Sequence, residues 1–99
     1  MDKQIEGIKK TINKVLPKYD VKKAALFGSM ARGEATGKSD VDLLIEFGVK
    51  SSLLDLAGLK MELEGLLKKN VDVITYKSLH PLLRDKILKD QIQIYGKRS

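Results

Sequence analysis

Two aspartates separated by one residue open the longest apolar segment near the middle of this chain. Asp40-Val41-Asp42 runs directly into Leu43-Leu44-Ile45 and the segment ends at Phe47. Such a run predicts a strand, and residues i and i+2 of a strand point to the same face, so Asp40 and Asp42 stand side by side. Two ionised carboxylates at that spacing repel each other unless a cation lies between them. Hard oxygen ligands of this kind suit Mg²⁺, which completes its shell with substrate phosphates.

A glycine–serine turn stands ten residues before the carboxylate pair. The apolar segment that ends at Leu26-Phe27 runs into Gly28-Ser29, and glycine allows a tight turn after a strand. A helix that begins near Ser29 would direct its free N–H groups and the serine hydroxyl toward an anion. A phosphate site beside a metal-binding carboxylate pair predicts phosphoryl or nucleotidyl transfer.

A third carboxylate, Asp72, interrupts the apolar segment Val71-Asp72-Val73-Ile74. A charge in such a strand is costly unless it is paired or bound to a metal. If this strand lies beside the Val41–Phe47 strand, Asp72 can face the same site, and three carboxylates could hold two metal ions about 3.5–4 Å apart. The alternative is an aspartate at a strand end that faces solvent, and the spacing favours neither interpretation.

Composition limits the other possibilities. The 99 residues suffice for one domain, residues 1–99, and no run approaches the roughly 20 apolar residues of a membrane span. The absence of cysteine excludes disulfides, zinc-thiolate sites and thiol catalysis, and it fits a cytoplasmic protein. The net charge of +6 would help to attract an anionic partner, although scattered surface lysines are the simpler explanation. Few aromatic residues are available to stack on bases, so nucleic acid is not expected as a direct ligand.

Apolar periodicity and turn residues predict alternating helices and strands, hence the α/β (α+β) class, with a small mixed sheet and helices packed on one of its faces. Asn70 is the expected C-terminal cap of the long central helix, which a capping box at Ser52 would open. The predicted elements are a helix over 5–15, a strand over 22–27, a short helix over 30–32, a strand over 41–47, a helix over 53–67 that fades over 68–70, a strand over 71–75, a helix over 78–89 and an edge strand over 92–95.

Taken together, these motifs resemble those of the minimal nucleotidyltransferases of the DNA polymerase β superfamily, the antitoxin-type partners of HEPN-domain proteins in prokaryotes. The resemblance covers nearly the whole chain, because the segment 79–95 is also similar to the closing helix and strand of that family. It implies a polymerase-β-like palm fold. The matching segments read Gly28-Ser29-Met30-Ala31-Arg32-Gly33, Ser39-Asp40-Val41-Asp42-Leu43-Leu44-Ile45 and Val71-Asp72-Val73.

The resemblance also implies a role for each residue of these motifs. The carboxylates of Asp40, Asp42 and Asp72 would bind Mg²⁺, two ions in all, and Asp72 would favour deprotonation of the acceptor hydroxyl. The remaining motif residues belong to the nucleotide site. Gly28 and Ser29 would hold the phosphates of ATP, Ser39 would orient the adjoining loop, and Arg32 would either reach the triphosphate or form a structural ion pair.

In function, the resemblance implies an enzyme that uses ATP and Mg²⁺ to transfer AMP to a hydroxyl group. The expected acceptor is a tyrosine of a HEPN toxin, held in a hetero-oligomer for which this chain is the antitoxin. One alternative is an antitoxin that neutralises a HEPN ribonuclease by binding alone. Another is a small nucleotide- or RNA-binding subunit that uses the basic surface.

Overall fold

The computed structural model describes residues 3–33, 40–49 and 53–96, which form three helices and four strands. Single 3₁₀ turns over Leu16–Tyr19 and Tyr76–Ser78 follow the first helix and the third strand. The elements in chain order are α1 Lys3–Val15, β1 Val21–Phe27, β2 Val41–Phe47, α2 Leu53–Leu67, β3 Val71–Thr75, α3 Pro81–Asp90 and β4 Ile92–Tyr95.

The four strands form one mixed sheet in the order β3-β2-β1-β4. Strand β1 pairs antiparallel with both β2 and β4, whereas β2 and β3 are parallel. A parallel pair cannot be joined by a tight hairpin, and here α2 provides the crossover between β2 and β3. The predicted α/β class and mixed sheet are confirmed, and β4 is the edge strand that the sequence indicates.

Helices α1 and α2 cover one face of the sheet. Alternate residues of β2, including Leu43 and Ile45, are fully buried there against Ile12 of α1 and Leu63 of α2. The strand period of two explains why every second side chain of β2 reaches this core. This is the main hydrophobic core, and it packs the central strands of the sheet against α1 and α2.

The opposite face carries a second, smaller core and the third helix. Ala25, Phe27 and Leu44 are buried there with Leu79, and Ile87 of α3 packs against them. The prediction that helices pack on one face therefore holds for α1 and α2, while α3 lies against the other face. The reason is that β1 and β2 are apolar on both faces, so the second face also needs cover.

The structure differs from three predictions about the helices. The turn after β1 does not continue into a helix over 30–32: the Arg32 N–H donates to the Gly28 carbonyl over 3.1 Å, and the turn closes at Gly33. Helix α2 fades at Lys68 as predicted, but Lys68 rather than the predicted cap Asn70 takes the left-handed conformation (φ 55°). Helix α3 begins only at Pro81, because the His80 Nδ1 accepts a hydrogen bond from the Leu82 N–H over 3.1 Å and so caps the helix.

A further expectation, the capping box at Ser52, lies outside the described residues. Within the described ranges, none of the helices is both long enough and apolar enough to cross a membrane.

Candidate active site

The predicted catalytic residues meet at the end of the sheet where β1 finishes and β2 and β3 begin. Phe27 pairs with Asp42 across the antiparallel ladder, and Asp42 pairs with Asp72 across the parallel one. Paired residues of neighbouring strands point to the same face, about 5 Å apart. The condition on Asp72 is therefore met: β3 lies beside β2 in the register that aligns the two aspartates. Both lie on the face that α3 covers.

Asp42 is the central residue of this group and is partly buried, whereas Asp40 and Asp72 are exposed. Burial raises the pKa of the Asp42 carboxyl above its usual range, and the charge of Asp72, a hydrogen bond with Asp72 and the charge of Asp40 raise it further. The positive charge of Arg32 opposes these effects. The charges of Asp40 and Asp72 thus converge on Asp42, as expected of a site that binds a cation.

The glycine of the Gly28-Ser29 turn is required by its contact with Asp42. Gly28 has a φ of +70°, which L side chains rarely adopt, and a Cβ at this position would contact the Asp42 Oδ2. The turn can therefore lie directly against the carboxylate. Ser29 follows in the same turn and is partly buried. This places the predicted phosphate-binding turn and the predicted metal-binding carboxylate in contact.

A matched pair of glycine variants separates this contact from simple backbone strain. Gly33 also has a positive φ, +72°, but a Cβ there would meet no atom within 4 Å. We expect Gly28→Ala and Gly33→Ala each to lower the free energy of unfolding by about 1 kcal/mol through strain. Only Gly28→Ala should also displace the Asp42 side chain and sharply reduce activity. Equal activity of the two variants, measured alongside thermal unfolding, would contradict the role of this contact.

Helix α3 contributes a wall of the site that the motifs do not reveal. A cleft of about 350 Å³ lies between the sheet end and this helix. Gly28, Arg32 and Asp42 line it from the sheet side, together with Phe27. The residues that line it from α3 are Leu83, Lys86, Ile87 and Asp90. Their spacing of three and four residues is a signal of a shared helix face, but it does not indicate what that face covers.

The donor set suits a divalent cation, although the side chains are not arranged as a complete metal cage. Among residues 3–33, 40–49 and 53–96, no three acidic or histidine side chains form a group that could hold a metal ion. The carboxylates nevertheless suit a cation, because Asp40 and Asp72 lie close enough to Asp42 to repel it and a bound cation would relieve that repulsion. Ser39, the predicted loop residue, lies outside the described residues. Arg32 lines the cleft near Asp42, which leaves both interpretations of this residue open.

Comparison with known proteins gives a consistent result. Residues 10–99 match the family described as polymerase beta, nucleotidyltransferase. A Methanocaldococcus jannaschii protein named as a putative protein adenylyltransferase is 52% identical over 90 residues, which cover 91% of this chain and 97% of the relative. A solved structure described as a putative minimal nucleotidyltransferase is 38% identical, has a TM-score of 0.79, and aligns over 93% of this chain and 95% of its own.

A more distant similarity supports the fold alone. The matched chain comes from a structure of a tri-AMPylated Shewanella oneidensis HEPN toxin in complex with an MNT antitoxin, and it is 19% identical with a TM-score of 0.71. The alignment covers 93% of this chain and 72% of that one. The family match and the close relatives, together with the site at the sheet end, establish that this chain is a nucleotidyltransferase of the polymerase beta family, on the minimal branch that includes the protein adenylyltransferases.

Proposed function

We propose that this enzyme transfers AMP from ATP to a tyrosine hydroxyl of a HEPN toxin and thereby acts as its antitoxin. The observation that carries the proposal is the alignment of Asp42 with Asp72 on one side and the Gly28-Ser29 turn on the other. The name of the Methanocaldococcus relative supports a protein acceptor. The fold shared with the antitoxin of the Shewanella complex supports the class of partner.

Each residue of the site has a defined task in this reaction. The N–H groups and the Ser29 hydroxyl of the turn would bind phosphate oxygens of ATP. Asp40 and Asp42, with Asp72, would hold Mg²⁺, which when bound neutralises the charge of the triphosphate and of the leaving pyrophosphate. Asp72 would accept the proton of the acceptor hydroxyl. The hydroxyl oxygen forms a bond to the α-phosphorus, and the bond from that phosphorus to the pyrophosphate oxygen breaks.

The acceptor side of the cleft suits a protein. Leu82 and Leu83 lie in the first turn of α3 and are 86% and 55% exposed. Leu83 also lines the cleft itself. Exposed apolar side chains at the edge of an active site are a feature of surfaces that bind other proteins. A partner that contacts this part of α3 would bring its hydroxyl close to Asp42.

The proposal is tested by incubating the protein with Mg²⁺, the HEPN partner and ATP labelled on either the α- or the γ-phosphate. We expect only the α-label to reach the partner, at a tyrosine identified by mass spectrometry. Transfer of the γ-label would indicate a kinase and overturn the proposal. Neutralisation of the toxin without any label on it would support the antitoxin that acts by binding alone.

Lys86 on the α3 wall is expected to bind the phosphates of ATP from the side opposite the Gly28-Ser29 turn. Its ammonium group forms no ion pair with any other residue in the described parts of the chain. Loss of a charge-assisted hydrogen bond should weaken ATP binding about tenfold in Lys86→Gln. Lys89→Gln is the control, because Lys89 is an exposed lysine of the same helix that does not line the cleft. Equal ATP affinity of the two variants in a titration would exclude a role for Lys86.

A further inference from the structure

Helix α2 exposes an apolar stripe on the side of the sheet that faces away from the active-site cleft. The stripe consists of Leu54, Ala57, Met61 and Gly65, which recur every three to four residues and so share one side of the helix. Leu54 is 82% exposed and Met61 is 72% exposed. The buried side of the same helix is also apolar and includes Leu59 and Leu63. Helix α2 is therefore apolar on two opposite sides, of which the chain itself covers one.

The charged residues that border the stripe are already paired within the chain. On one side, Lys60 forms an ion pair with Glu64 over 3.1 Å and also donates to the Val71 carbonyl. On the other side, Glu62 accepts hydrogen bonds from both Lys18 and Tyr19, over 2.8 and 2.7 Å. Covering the stripe would therefore leave no bordering charge without a partner. An apolar centre with a satisfied polar border is the usual composition of a protein interface.

We propose that this stripe is a dimer interface and that its occupant is the α2 stripe of a second copy of this chain. Large and small side chains alternate along it. When two such helices pack antiparallel about a two-fold axis near the middle of the stripe, Leu54 of each copy meets Gly65 of the other. In the same register, Met61 meets Ala57. The stripe is thus complementary in shape to itself, as an isologous interface requires.

The helix dipoles favour the same antiparallel arrangement. Antiparallel packing places the positive N-terminal end of one helix beside the negative C-terminal end of the other, whereas a parallel arrangement would bring like ends together. The net charge of +6 per chain opposes association, so the dimer should become stronger as salt is added.

The size of the stripe sets the expected affinity. A helix of 15 residues is about 22 Å long, and one side of it offers less than the 1,200–2,000 Å² typical of stable complexes. We therefore expect a dissociation constant in the micromolar range. The two active-site clefts lie on the outer faces of such a dimer, because α2 and the cleft are on opposite faces of the sheet. Dimerisation leaves both clefts open to ATP and to a protein acceptor.

The experiment is sedimentation equilibrium of the purified full chain from about 1 µM to about 1 mM, with Gly65→Leu as the decisive variant. A Cβ at Gly65 meets nothing within 4 Å, and glycine is the weaker helix former, so this substitution should raise the thermal stability of the monomer. It should nevertheless weaken the dimer at least tenfold, because the added side chain occupies the space that receives Leu54 of the second copy. Raised monomer stability with a weakened dimer cannot result from misfolding.

Two further variants complete the test. Met61→Lys should also weaken the dimer by placing a charge in its centre. Leu82→Lys is the control, since Leu82 is 86% exposed but lies on α3, away from the stripe. We expect Leu82→Lys to dimerise like the wild type. A wild-type protein that stays monomeric to 1 mM, or a dimer weakened by Leu82→Lys but not by Gly65→Leu, would overturn the proposal. Protection of α2 from hydrogen exchange by a HEPN partner and not by a second copy would also overturn it.

Discussion

Replacing Asp40 and Asp42 together by asparagine is expected to abolish AMP transfer while the fold remains intact. The two substitutions remove the anionic oxygens at the centre of the site but keep the size of both side chains. Asparagine is a far weaker Mg²⁺ ligand than a carboxylate, so the site loses its affinity for the metal. In a transfer assay with labelled ATP, Mg²⁺ and the partner, labelling by the double variant should fall to background. Equal labelling by the variant and the wild type would show that this carboxylate pair is not the catalytic centre.

The same double variant should be at least as stable as the wild type without metal. The pKa of Asp42 is raised in the folded chain, so the folded state binds a proton more tightly than the unfolded state does. Stability that depends on this proton is present at low pH and is lost as the pH rises through the raised pKa. An asparagine at position 42 carries no such proton and should remove that loss. Thermal unfolding at neutral pH tests this, and a markedly less stable variant would indicate that the carboxylates have a structural role.

The sequence contains most of the information about the sheet end. The apolar run that ends at Phe47 is enough to predict the strand, and the strand period of two is enough to predict that Asp40 and Asp42 share a face. The glycine at position 28 indicates the turn, and its contact with Asp42 provides the physical reason for that residue. What the pattern could not determine is whether β3 lies beside β2. The register of Asp42 with Asp72 depends on long-range packing by α2, which no local signal specifies.

The contribution of α3 to the site was not predictable in the same way. Lys86 and Asp90 stand four residues apart on an otherwise ordinary amphipathic helix, and such pairs are common on solvent-exposed helices. Their position in the cleft follows from Ile87 and Leu79, which pack on the second core and fix α3 against that face.

The helix ends differ from the predicted ones for a local reason. His80 and Lys68 adopt conformations that the usual preference for serine, asparagine and glycine at helix ends does not predict.

Asp72→Asn is expected to reduce AMP transfer by roughly two or more orders of magnitude, the usual scale for the loss of a general base. Asp72 is exposed and lies at a strand position where asparagine keeps the shape and the hydrogen-bonding capacity, so the fold should survive. A group that accepts a proton in the transition state affects the rate far more than it affects binding of the substrate. The variant should therefore still bind Mg²⁺-ATP through Asp40, Asp42 and the Gly28-Ser29 turn.

Single-turnover transfer at saturating ATP, with nucleotide binding measured separately, distinguishes a base from a structural residue at position 72. Asp85→Asn is a suitable control, because Asp85 is an exposed aspartate of α3 that does not line the cleft. A second readout comes from Asp42, whose pKa is raised partly by the charge of Asp72 and should fall toward its ordinary value in the variant. If that pKa falls while transfer stays near normal, Asp72 acts on the electrostatics of the site without taking the proton. The acceptor hydroxyl must then lose its proton to another group, and the carboxylate that remains available on the opposite wall of the cleft is Asp90.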